Sequence, residues 1–99
     1  MILKSFSLLD IKAGFYSPPF FMSHTAQAIR AVAELGEDQR NQVGRHPADY
    51  QLVELGTWDD QTGAYENHHI PRPLGLVANL LRNERQSGLP NLEQMEGSK

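Results

Sequence analysis

The stretch His46–Gly63, HPADYQLVELGTWDDQTG, decides the fold. His46-Pro47 is a stop, because proline has no backbone donor and a fixed φ, and Pro47-Ala48-Asp49 suits a single tight turn. Gln51 to Trp58 then reads as a strand entered at Tyr50. Tyr50, Leu52, Gly56 and Trp58 fall on one face, with Glu54 between them, and Val53, Leu55 and Thr57 fall on the other. Both faces are substantially apolar, which predicts a central strand with helix over at least one of them. Gly56 inside the run predicts a bulge or the close approach of another element. Asp59-Asp60-Gln61-Thr62-Gly63 is hairpin-loop chemistry, with Gly63 in the left-handed region. Ala64 to Glu66 should therefore return antiparallel and bring Tyr65 near Trp58 or Thr57.

What precedes this hairpin reads as strand, turn and helix. Ile2 to Asp10 alternates, with the even positions Ile2, Phe6 and Leu8 mostly apolar and pointing to the core. Asp10 to Gly14 is a turn, since Asp can bond its own backbone and Gly14 tolerates positive φ. Phe15 to Ser17 pairs briefly back along the first strand, and Pro18-Pro19 stops that ladder. A helix over 24–35 follows, with Ser23 or Thr25 as N-cap and Gly36 as C-terminal cap. Its apolar stripe is Ala28, Ile29, Val32 and Leu35. Residues 37–45 are polar and read as a mobile loop. After the hairpin, 67–73 reads as a connector, and Leu74, Val77, Ala78 and Leu81 mark a second helix over about 73–85.

These elements define an α+β fold: a small antiparallel sheet of three or four strands, one helix packed on a face, and a second, C-terminal helix. Ninety-nine residues make one domain, here residues 1–85, and the polar stretch 86–99 is expected to be disordered. The apolar runs are too short for a membrane span or a signal peptide, so no membrane association is expected.

Net charge is -3, unevenly spread. Residues 1–33 carry Lys4, Lys12 and Arg30 against Asp10, whereas 34–66 carry only Arg40 and Arg45 against eight acids. Arg72, Arg82, Arg85 and Lys99 return a slight excess of positive charge to the last third. A protein that depends on phosphate contacts usually concentrates its basic residues on one face; here only a patch built from both ends of the chain would serve.

No reaction is announced. Cysteine is absent, which removes disulfides and thiolate metal sites. His24, His46, His68 and His69 lack metal-ligand spacing, and Asp59-Asp60 is only a fragment of a calcium loop. There is no glycine-rich phosphate loop and no nucleophile elbow. The expectation is a non-enzyme without cofactor or metal. Phe20 and Phe21 admit two readings. They staple the helix to the sheet, or they form an exposed platform on which bases stack.

Several features taken in order resemble a known family: Asp10-Ile11-Lys12-Ala13-Gly14, Pro19-Phe20-Phe21, Ala28-Ile29-Arg30, His46-Pro47-Ala48-Asp49-Tyr50, Leu52, Leu55-Gly56, Trp58-Asp59-Asp60 and Thr62-Gly63. They are similar to the small non-structural protein of gokushovirus-type microviruses, phages with single-stranded DNA, a protein usually labelled DNA-binding. The resemblance covers roughly residues 1–80. It implies a non-enzymatic phage protein in the cytoplasm of the infected bacterium, binding the genome or assisting the switch from replication to packaging. It supplies no catalytic residues and no individual DNA contacts. The residue types themselves nominate Lys4, Lys12, Arg30, Arg72, Arg82 and Arg85 for phosphate, and Tyr16, Phe20 and Phe21 for stacking. Single-stranded DNA is then the expected partner, with a homodimer as one way to gather charge. The alternative is a protein–protein role, with a viral or host partner met through a sheet edge or the second helix.

Overall fold

The computed structural model describes residues 1–88, with side chains through residue 84. Five strands and three helices follow one another as β1 (Ile2–Asp10), β2 (Phe15–Tyr16), β3 (Phe20–Met22), α1 (Thr25–Glu37), α2 (Gln42–Arg45), β4 (Tyr50–Asp59), β5 (Tyr65–Leu76) and α3 (Val77–Gly88), with a 3-10 turn at Pro47–Asp49 before β4. The sheet is antiparallel in the order β2-β1-β4-β5, and β3 pairs β1 beside β2. The fold is therefore α+β, with β4 central as its two apolar faces require.

The β1–β2 turn forms as its chemistry dictates: the Asp10 carboxylate accepts from the Ala13 backbone at 3.0 Å, and Gly14 has φ 79°. Pro18-Pro19 ends β2, but pairing resumes immediately. In β3, Phe20, Phe21 and Met22 lie opposite Phe6, Ser5 and Lys4. The interruption is local because the prolines occupy an edge, where a missing donor costs no ladder bond.

One face of the sheet carries the helices. Phe6, Leu8, Leu52, Ala28, Val32, Val77 and Leu80 form the core between them, with Phe20 and Met22 packed against it. Full burial of a side chain such as Phe6 contributes about 1.5–3 kcal/mol. α1 starts at N-cap His24 rather than Ser23 or Thr25, because the Gln27 side-chain oxygen reaches back to accept from the backbones of Ser23 and His24 at 3.1 and 3.3 Å. The helix also passes through Gly36 instead of ending there. A Cβ at Gly36 would lie 2.7 Å from Val77 Cγ1, so this glycine serves the close approach of α3 and not a cap. The buried line is Ala28, Val32, Ala33 and Gly36, which leaves Leu35 exposed at the flank.

Residues 38–45 are polar yet held by local bonds, contrary to the mobile loop expected. Asn41 donates to the Leu35 and Asp38 carbonyls and accepts from Gly44, which organises α2. β5 is also longer than expected. It runs as one edge strand through Pro71 and Pro73, with Pro73 opposite Val53, so 67–73 is not a connector and α3 begins only at Val77. Prolines now interrupt both edges of the sheet, which disfavours strand addition by a partner. α3 reaches Gly88, past the boundary expected at residue 85, and the expectation for 89–99 falls outside the described residues.

β4 contains the decisive irregularity. Ser5 faces Gly56, but Phe6 faces Glu54, so Leu55 is an extra residue in β4. Beyond it the faces exchange. Trp58 lies opposite Leu3 and shares the face of Ser5 and Val53, not the face of Leu52 as strict alternation predicts. At Gly56 a Cβ would collide with the Glu66 carbonyl oxygen, a backbone atom held in the β4–β5 ladder. Gly56→Ala should therefore destabilise the protein by about 1–3 kcal/mol or more in chemical denaturation.

Candidate nucleic-acid interface

The face that no described helix covers carries a cluster of aromatic rings. Phe21 projects from β3 opposite Ser5, Trp58 from β4 opposite Leu3, and Tyr65 from β5 opposite Trp58. Ring centroids are 5.2 Å apart for Phe21–Trp58, 6.3 Å for Phe21–Tyr65 and 6.2 Å for Trp58–Tyr65, all tilted. Such spacings and tilts are those that aromatic quadrupoles favour. The small residues Ser5 and Gly56 lie opposite one another beside the rings and leave them room. Tyr65 is 59% exposed, and Phe21 and Trp58 are half-buried, so the cluster is anchored on one side and open on the other. Farther along the same face, opposite Leu9, stands Tyr16, also exposed. Between them Ser7 is buried and satisfied by the Ser17 carbonyl at 2.8 Å.

The pair Phe20 and Phe21 is thus divided by strand alternation. Phe20 enters the core and stacks on Phe6 at 5.7 Å, which answers the staple reading. Phe21 joins the open cluster. Trp58 and Tyr65 had no place among the sequence-nominated contacts, although the hairpin had already brought them together. The missing signal was β3, which adds Phe21 to them.

The nominated cations do not form one basic face. Lys4 and Arg72 meet at Glu54 on the helix-bearing side of the sheet, each 3.9 Å from a carboxylate oxygen, and His68 Nε2 bonds the same carboxylate at 2.7 Å. Lys12 lies in the exposed β1–β2 turn. Arg30 lines a cleft of about 300 Å³ with Glu34, Glu37 and Glu84. Arg82 donates to the Asn79 side chain at 3.0 Å. The Arg85 side chain lies outside the described residues.

Glu54 is the structural surprise, since only 4% of its side chain is exposed. Burial by itself would push its carboxyl pKa up, but the His68 hydrogen bond, then the charges of Lys4, Arg72 and His68, hold it below the ordinary carboxylate range. A carboxylate so held stabilises the fold above the unfolded-state carboxylate pKa, and the stabilisation is lost as pH falls through the lower folded value.

Three of the other histidines and acids have local roles. His24 caps α1, Asp59 accepts from the Gln61 backbone, and Asp60 pairs with the Met1 amine at 2.7 Å. Among the described residues no three His, Cys, Asp or Glu are grouped to hold a metal ion. No described helix is long and apolar enough to cross a membrane.

An antiparallel α+β sheet with an aromatic face opposite its helices is the class this chain defines. The chain belongs to the family described as Phage ORF5 protein, which it matches over residues 3–81; it is a phage protein. It matches no curated protein and no solved structure.

Replacing His68 by Ala leaves a buried carboxylate oxygen unsatisfied and should lower stability at pH 7 by about 1–3 kcal/mol, read by chemical denaturation. In the parent, stability should fall as pH drops below the ordinary carboxylate range. In Glu54→Gln that part of the acid dependence should be gone.

Proposed function

We propose that this chain is the non-structural, single-stranded DNA-binding protein of a microvirus-type phage, acting without catalysis in the cytoplasm of the infected bacterium. The observation that carries the reading is the open cluster of Phe21, Trp58 and Tyr65 on the sheet face that no described helix covers. An unpaired base offers a π-face to such rings, and each stacked base contributes about 1–3 kcal/mol regardless of sequence. In a duplex those faces are occupied by neighbouring base pairs, so the cluster selects single strands. The family match to phage proteins supports the setting, and the resemblance to the microvirus protein supports the substrate.

Charge sets the character of the binding. A net charge of -3 and cations scattered over the surface give few phosphate contacts. Each contact to a single strand adds about 0.7 to the slope of log affinity against log salt, so a shallow dependence is expected. Stacking, not counterion release, supplies most of the affinity in this account.

Fluorescence anisotropy with a labelled single-stranded oligonucleotide tests it, with duplex of the same sequence as comparison. Single strands should bind more tightly than duplex. Tyr65→Ala and Trp58→Leu should each weaken binding by about 1–3 kcal/mol, roughly fivefold to a hundredfold. Absence of binding at low salt, or binding that Tyr65→Ala leaves intact, contradicts the proposal and turns attention to a viral or host protein as partner.

A further inference from the structure

We infer that Lys4 and Arg72 form a phosphate clamp, held in place by the buried Glu54, for the backbone of the strand whose bases stack on the opposite face. The inference rests on the single-strand reading above and names two contacts within it.

The geometry is that of two cations assembled but not consumed. Lys4 Nζ stands 3.9 Å from Glu54 Oε1, and Arg72 Nη1 stands 3.9 Å from Glu54 Oε2. Charge-assisted hydrogen bonds run to about 2.7–2.9 Å, so neither cation spends its donors on the carboxylate. His68 takes Oε2 at 2.7 Å, and Oε1, the oxygen Lys4 faces, has no hydrogen-bond partner among the described residues. The carboxylate is 4% exposed, while the Lys4 and Arg72 side chains are 37% and 64% exposed. The acid therefore lies at the bottom of the cluster and the donors lie toward solvent. Both cations flank one carboxylate, whose negative charge offsets the repulsion between them. A phosphate arriving from solvent meets a guanidinium fork and a compact ammonium, two donor types that phosphate recognition commonly uses.

The surroundings limit the cluster to one or two phosphates. Asp59, opposite Ile2, and Glu66, opposite Thr57, share the helix-bearing face with it, and His69 follows His68 along β5. Acids on both strands thus bound the positive potential to the immediate vicinity of Lys4 and Arg72. The outer edge of the sheet connects the cluster to the aromatic face. β5 is the last strand of the sheet, Tyr65 opens it on the aromatic side, and Arg72 follows on the other side. A nucleic-acid strand that crosses the outer edge of β5 meets both.

Binding of a labelled oligo-dT measured over a series of salt concentrations tests the clamp. Lys4→Gln and Arg72→Gln should each lower the magnitude of the log–log salt slope by about 0.7 and weaken low-salt binding several-fold. Lys4→Arg should restore the slope, and Arg45→Gln, on α2, should leave it unchanged. If both glutamine variants keep the parental slope while Tyr65→Ala still weakens binding, the clamp is overturned and the single-strand reading stands. If the parent binds no oligo-dT, inorganic tripolyphosphate followed by 1H–15N NMR decides. Saturable shifts at Lys4 and Arg72 that Lys4→Gln abolishes keep the clamp as a phosphate site and overturn the single-strand reading. No shifts overturn both.

Discussion

One extra residue in β4 determines what this protein can present to a partner. Side chains alternate along a strand, so an uninterrupted β4 would place Trp58 with Leu52 and Glu54 beneath the helices. Leu55 shifts the register against β1 by one. After the shift Glu54 stays on the helix-bearing side among Lys4, His68 and Arg72, and Trp58 moves to the open side with Phe21 and Tyr65. Bulges commonly re-aim a side chain in this way. Gly56 makes this one possible, because the Glu66 carbonyl occupies the space a side chain would need. A single local irregularity thus creates both the aromatic cluster and the ionic cluster, on opposite faces of the sheet.

The ionic cluster solves a problem that the fold itself creates. A carboxylate in the centre of a sheet is costly unless it is paired and hydrogen-bonded. Here one hydrogen bond from His68 and two nearby cations keep it ionised. Those cations come from the strands on either side, β1 and β5, so the cluster also ties the three strands together across the sheet. Because Lys4 and Arg72 approach without hydrogen-bonding the acid, they retain donors for a further anion.

Much of the fold was legible because local chemistry and tertiary demand agreed. The alternation of Ile2 to Asp10, the Asp10–Gly14 turn, the alanine-rich helix and the Asp59–Gly63 hairpin all follow from their residues, and each forms. The failures share a cause, in that a residue's local meaning was replaced by a spatial one. Gly36 looks like a cap and is instead the seat of Val77. Pro71 and Pro73 look like a connector, yet an edge strand with irregular register accepts them. Pro18-Pro19 ends β2 without ending the pairing of that edge, and so hides β3. The site suffered most from this last point. Tyr65 beside Trp58 was readable from the hairpin alone, but only β3 separates Phe21 from Phe20 and sends it to join them. The cations nominated for phosphate are spread over the surface, and the meeting of Lys4 and Arg72 depends on Glu54, whose burial no local pattern announces.

The chain's one tryptophan is Trp58, which places a native reporter inside the proposed stacking surface. Its intrinsic fluorescence, titrated with an unlabelled single-stranded oligonucleotide at low salt, tests the central claim most directly. Stacking of a base against the ring cluster predicts saturable quenching, stronger with single strands than with duplex and reduced in Tyr65→Ala. Emission that stays unchanged while the protein binds the same oligonucleotide by another measure would place the bases elsewhere and contradict the account.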